Sequence, residues 1–156
     1  MNKENNLDEI YKEAVNGIKN EWFSSFEGYK IWYTFVINLP IKLKSVYLLN
    51  ILESQVLNGG FHQYFSNKYG IFSFETLSIL EIIGANQKHN LLSKALNFVN
   101  SKESDKIQFI EDILFGDMET LHFDSEVFNE LDKLDDLYYK SEDDLLKLIT
   151  TFLTNI

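Results

Sequence analysis

The chain has 156 residues, 45% of them hydrophobic and 15% aromatic, and contains no cysteine. A chain of this length buries roughly 70% of its unfolded surface, so a core forms without covalent staples, and the absence of cysteine excludes disulfides, thiolate metal sites and a cysteine nucleophile. The net charge is −10 and every basic residue is a lysine; residues 1–100 balance nine acids with nine lysines, whereas residues 101–156 set fifteen acids against five lysines.

That imbalance bears on partners. Direct nucleic-acid binding needs a basic footprint, and none is visible; anionic membranes and phosphates are repelled. The start, Met1 to Asn6, is polar and runs into an amphipathic pattern with no signal-like apolar stretch. No apolar run reaches the ~18 residues of a membrane span. The expectation is a cytoplasmic protein folded as one domain over residues 1–156.

In chain order, Leu7, Ile10, Tyr11, Ala14 and Ile18 recur at helical spacing, with Gly17 near the end of the stripe. Trp22 to Leu39 is ambiguous: Tyr29 to Ile37 is dense in aromatic and β-branched residues, as strands are. It is too short and isolated to define a sheet, and we read it as buried helix. Pro40, the only proline, opens a long helix near its first turn. Ile41, Ser45, Leu48, Leu52 and Val56 trace its face, and Asn58-Gly59-Gly60 stops it. A short aromatic segment, Phe61 to Phe65, follows.

Ser73 can cap a helix carrying Thr76, Leu80 and Ile83, with Gly84 behind it. Leu91, Leu92, Ala95 and Val99 mark another. Ser104 can cap one carrying Ile107, Ile110 and Leu114, ended by Gly116. Asp124 or Ser125 opens one with Val127, Leu131, Leu134 and Tyr138, and Ser141 opens the last, with Leu145, Leu148, Ile149 and Phe152. The expected fold is all-α, a single compact domain of about seven or eight helices with short connections.

Catalytic signatures are sparse. His62, His89 and His122 are spread over three segments, without the i, i+4 spacing of a helical metal site. Glu53 and His62 can meet across the Gly-Gly corner as base and orienter; the plainer reading is a His62 bonded to a turn carbonyl. Asn58-Gly59-Gly60 can present amides to an anion, although a helix cap and tight corner explain it as well. Trp22, Phe23, Phe26, Trp32, Tyr33 and Phe35 can line a pocket, but ring clusters of this density usually form core.

The acidic third separates into two groups. Ser141-Glu142-Asp143-Asp144 reads as a capping box with Asp in the Glu position, its carboxylates complementing the helix dipole; Asp124 and Glu126 fit the same account. Asp132, Asp135 and Asp136 do not. They lie toward the C-terminal end of the helix expected over 125–138, where negative charge opposes the dipole, and they share one face, opposite Val127, Leu131, Leu134 and Tyr138. Metal binding would suit their hard oxygens, but the loop and glycine of a calcium site are missing, and no metal or cofactor is expected. Carboxylates one turn apart are about 5–6 Å from each other, similar in scale to neighbouring backbone phosphates. Such a face can dock on a basic groove of a partner; as a bland alternative it is a solvated face.

Two blocks give a resemblance. One is Glu53 followed by Asn58-Gly59-Gly60-Phe61-x-Gln63-Tyr64-Phe65-x-Asn67-x-x-Gly70; the other is Leu134-Asp135-Asp136-Leu137-Tyr138-Tyr139, with Ile83-Gly84-Ala85 between them. In these the chain resembles the DNA-mimic protein family (DMP-nineteen-like), formerly a domain of unknown function, over about residues 40–154; Leu57 stands where relatives often carry Asn. The resemblance implies an all-α fold and an acidic homodimer that occupies the DNA-binding face of a helix-turn-helix regulator.

The functional expectation is therefore a non-enzymatic acidic inhibitor. It would cover the basic, nucleic-acid-binding surface of a partner protein, either a transcription regulator or a nuclease toxin. Asp132, Asp135 and Asp136 are the expected contact face, supported by Glu126, Glu130, Glu142, Asp143 and Asp144. One alternative is an enzyme or small-ligand-binding domain at the Gly-Gly corner, using Glu53, His62, Gln63 and Tyr64. Another is an interaction module that binds through an apolar patch.

Overall fold

The computed structural model describes residues 3–116 and 125–156. His122 and Asp124 lie outside the described residues. The described residues form eight α-helices and no strand: α1 (Lys3–Val15), α2 (Phe26–Ile37), α3 (Ile41–Ser66), α4 (Ser73–Ile83), α5 (Asn86–Val99), α6 (Lys106–Phe115), α7 (Ser125–Tyr139) and α8 (Leu145–Thr154). Two 3-10 turns, Asn20–Ser24 and Tyr69–Phe72, lead into α2 and α4. No described helix is long and apolar enough to cross a membrane.

Helix α3 is the hub, packing against α1, α4, α7 and α8, while α5 bridges α4 and α7. Ser45, Leu48, Leu52 and Val56 on its expected face are buried, although Ile41 at its start is exposed. The ambiguous segment is helical from Phe26 to Ile37. Ser25 caps it by accepting the Gly28 N–H at 3.0 Å. Its apolar residues divide: Trp32 and Val36 enter the core, and Ile31 faces out. The Trp32 indole N–H donates to the Tyr47 hydroxyl at 3.0 Å, which satisfies the one polar atom that a buried tryptophan carries.

Three expected caps are placed differently, each for a local reason. Ser73 lies inside a helical run, because the 3-10 turn before it flows straight into α4; its hydroxyl donates back to the Gly70 carbonyl at 2.7 Å. Ser104 is stitched to Asn100 by a pair of side-chain-to-backbone bonds, so Asp105 caps α6 instead, accepting the Gln108 N–H. Ser141 takes the Asp143 N–H within its own loop and Asp144 caps α8. In α6 Phe109 is buried and Ile107 is 73% exposed. Gly84 and Gly116 end α4 and α6 as expected.

The largest departure is at Asn58-Gly59-Gly60. The helix does not stop there; it breaks and resumes. Gly59 (φ −152°, ψ 20°) and Gly60 (φ 75°, ψ −177°) leave helical geometry, and the chain turns helical again through Phe61 to Ser66. The Gly60 conformation is one that only glycine adopts without strain. A Cβ at that position would also stand 2.0 Å from Oδ2 of Asp135. Gly60→Ala should therefore lower the free energy of unfolding by about 3 kcal/mol. Gly59→Ala should cost less, since its φ is ordinary and it meets the movable Gln63 side chain. Urea denaturation followed by circular dichroism checks the order of the two.

Candidate functional site

Breaking a helix frees backbone N–H groups at the start of its second half. At this break the Phe61 N–H donates to Oδ1 of Asp135 at 2.8 Å, in a buried position. Asp135 is only 8% exposed. It thus caps the resumed segment of α3 from another helix, the carboxylate facing a positive helix terminus. Burial raises the Asp135 pKa above the ordinary carboxylate value; the Phe61 N–H opposes this, Asp132 and Asp136 add to it, and His62 opposes it. Phe61 is buried edge-on to Tyr138, with ring centres 5.6 Å apart.

Seven residues before Gly60, Glu53 makes the second tie to α7. Its Oε1 accepts from the Lys88 ammonium at 2.9 Å and from the Tyr138 hydroxyl. The Lys88 side chain is 7% exposed and that of Glu53 33%. The ammonium also lies 3.8 Å from the Tyr138 ring centre, so a desolvated cation has both a carboxylate and a ring face. The Tyr138 hydroxyl is held protonated well above its ordinary range, by burial first and then by the Glu53 charge. Asp143 closes the cluster by accepting the backbone N–H of Lys88 at 2.8 Å, in the first turn of α5.

On the other side of the break an amide ladder spans the bend. Asn58 donates to Oε1 of Gln63, and Gln63 and Asn67 both donate to Oε1 of Gln55, each at 3.0 Å. Tyr64 and Phe65 are buried, and Gly70 lets the chain pass where a Cβ would meet the Phe65 ring at 2.3 Å. Burial pushes the Tyr64 hydroxyl up to about 12. His62 packs its ring on Phe128 at 4.6 Å and lies in the field of Asp135.

The model of the DMP19-like protein family matches residues 37–155. The chain belongs to the DMP19-like protein family. No curated protein matches the chain, and no solved structure does. The two blocks that carry the resemblance are the two halves of one joint. Asn58 to Gly70 forms the bend in α3, and Leu134 to Tyr139 supplies Asp135, the Tyr138 ring and the Tyr139 hydroxyl, which donates to the Val56 carbonyl at 3.1 Å. Among the described residues no group of three or more His, Asp or Glu gathers as a metal site.

The acids of the DMP19-like chain take distinct places. Asp135, Asp143 and Asp144 are caps, on α3, α5 and α8 respectively. Glu130 accepts from Lys133 at 2.6 Å. The Glu142 side chain is exposed, while its backbone N–H donates to Gln87. Glu126 is exposed near the start of α7. Asp132 and Asp136 are exposed, one turn apart on α7, and carry no hydrogen bond or ion pair among the described residues. Sequence reasoning missed Lys88, and a signal for it existed. Lys88 stands three, four and seven residues before Leu91, Leu92 and Ala95, and is therefore on the buried stripe of α5.

The aromatic residues of the N-terminal third are partly core and partly wall. Trp22 and Phe35 pack together at 5.5 Å and line a groove of about 570 Å³ along α2 with Ile31 and Leu39. Phe26 stacks on Phe115 at 3.9 Å. Tyr33 and Ile107 face each other in a smaller groove, of about 260 Å³, between α2 and α6.

Two outcomes follow from this geometry. The folded-state pKa of Asp135 lies above its unfolded value of 3.8, so the native state holds the extra proton just above that pH. The stabilisation contributed by Asp135 is full below pH ~3.8 and declines as pH rises through the folded value. The cost of Asp135→Asn should accordingly be largest in acid and smaller at neutral pH; a cost that stays flat across pH-dependent urea titrations would contradict it. Separately, Lys88→Met strands Glu53 beside Tyr138 and should cost about 2 kcal/mol, discounted for the partial exposure of Glu53. Adding Glu53→Gln should cost less than the two single changes together, as a double-mutant cycle reads.

Proposed function

We propose that this protein is a non-enzymatic binding protein whose acidic surface covers the basic, nucleic-acid-binding face of a partner protein, a DNA-binding regulator or a nuclease toxin. Membership of the DMP19-like family supports a role in protein–protein interaction in general. The observation that carries the finer reading is the pair Asp132 and Asp136. Both are exposed and unpaired among the described residues, toward the end of a helix whose dipole opposes them. Asp135, between them, has a structural duty; these two have none, and they add like-charge repulsion to it.

Spaced by about 5–6 Å, the two carboxylates suit a row of lysines or arginines that would otherwise meet phosphates. Leu137 and Tyr139, each about half exposed, flank them. They supply the apolar and aromatic contact that interfaces concentrate at their centres. Glu126 and Glu142 extend the negative field. Asp135, Asp143 and Asp144 serve this surface by holding helices in place, so reversing them would disturb the fold together with the contact.

The test uses the double change Asp132→Lys/Asp136→Lys and leaves Asp135 untouched. A partner captured by the unaltered protein should be released by high salt and by added duplex DNA, and should not bind the double variant, whose helicity should be unchanged. Capture that survives both the charge reversal and competing DNA would overturn the proposal.

A further inference from the structure

A cleft of about 440 Å³ lies where the 3-10 turn Asn20–Ser24 and α2 meet the end of α3. Its size is that of a small-molecule pocket. Phe23, Tyr29, Trp32 and Tyr69 line it with rings. They are tiled edge to face, with Phe23 5.1 Å from Trp32 and Tyr69 5.5 Å from Trp32. Gln55 and Asn67 contribute amides. The ladder across the bend uses the Gln55 carbonyl oxygen and the Asn67 amino group, and leaves the Gln55 amino group and the Asn67 carbonyl oxygen without a partner among the described residues.

The charge of the cleft runs against that of the molecule. The protein carries −10 overall, yet no acid lines this cleft, and its one charged residue is Lys68. That ammonium has no carboxylate partner among the described residues and sits 5.5 Å above the Tyr29 ring. Lys68 is also in the wrong backbone conformation for its type. It stands just beyond Asn67, the C-cap of α3, with φ 69°, the left-handed position that glycine usually fills at a helix end. A lysine held there against backbone preference, beside a ring wall and free amide groups, has a use other than ending the helix.

We propose that this cleft binds a small planar aromatic anion, stacked on the ring wall at Phe23 with its acidic group on the Lys68 ammonium and its polar edge toward Gln55 and Asn67. The site shares no residue with the acidic surface of α7, so it stands or falls independently of the proposed partner contact.

The experiment titrates the full chain with naphthalene-2-carboxylate and with its neutral counterpart naphthalene-2-carboxamide, following backbone amide shifts by NMR. Saturable shifts at Phe23, Lys68 and Tyr69, with the amide binding about tenfold more weakly, are expected for one charge-assisted contact. Lys68→Gly should weaken the carboxylate to the level of the amide while the thermal midpoint holds or rises, because glycine relieves the left-handed residue. That opposition of affinity and stability is what a merely structural Lys68 would not produce. Shifts centred on the α2–α6 groove, equal binding of the two probes, or unaltered affinity in Lys68→Gly would each overturn the assignment.

Discussion

The amide of Phe61 and the carboxylate of Asp135 are 74 positions apart in the chain and 2.8 Å apart in space, and the rest of the architecture hangs on that bond. Helix α3 breaks at Gly59 and Gly60, whose backbone leaves helical geometry. A break inside the protein leaves amide groups with nothing to donate to, and water is not there to take them. The acceptor has to arrive from elsewhere in the chain, and Asp135 brings the whole of α7 with it. Gly60 makes room for the carboxylate by having no side chain, and its backbone conformation aims the Phe61 amide at it. Once α7 is seated, Tyr138 falls against Phe61 and reaches Glu53, which in turn fixes Lys88 and therefore α5. One unsatisfied donor thus organises three helices.

The same logic accounts for four of the fifteen acids in the last third. A chain with a run of helices and short connections has many helix N-termini, each with free donors and a positive end. Asp105, Asp135, Asp143 and Asp144 are each spent on one of these, and two of the four cap a helix to which they do not belong. The charge of the last third is thus not one uniform field, because part of it is fastened into the fold. The remainder, Asp132 and Asp136 above all, is where a functional argument from charge has force, because the structural demand has already been met.

Legibility in the sequence followed the range of the interaction. Helices whose signal is a stripe of apolar residues were readable, and the helical reading of the segment from Phe26 to Ile37 held against its strand-like composition, because its pattern of burial is that of a helix. Glycine ends at Gly84 and Gly116 were readable because they are local. The caps were not: a neighbouring carbonyl takes the Ser73 hydroxyl and a loop amide donates to that of Ser141, while the Asn100 side chain ties down the backbone of Ser104. Asp135 was read as surface charge, and Asp143 as complementing the dipole of its own helix and supporting the acidic face, because their partners, Phe61 and Lys88, are remote in sequence. A carboxylate that caps in trans leaves no mark at its own position. The mark lies on the partner, as a glycine pair in an otherwise strong helix and a lysine on an apolar stripe.

The joint also separates what family membership transmits from what it leaves open. The residues that carry the family resemblance are nearly all consumed by the bend. Asn58, Gln63 and Asn67 build the amide ladder on one side, Gly60, Phe61 and Asp135 the cap on the other, and Glu53 and Tyr138 the tie to α5. The residues with chemistry to spare are few: Asp132 and, inside the second block, Asp136 on the outer face of α7, and Lys68 with the Phe23–Tyr29 ring wall at the end of α3. A signature spent mostly on holding the backbone constrains the shape on which a binding surface is displayed more than the surface itself. Chains can therefore share this joint and differ in what they bind, and the place to look for that difference is in the positions beside the signature, where a charge or a ring is not already committed to the fold.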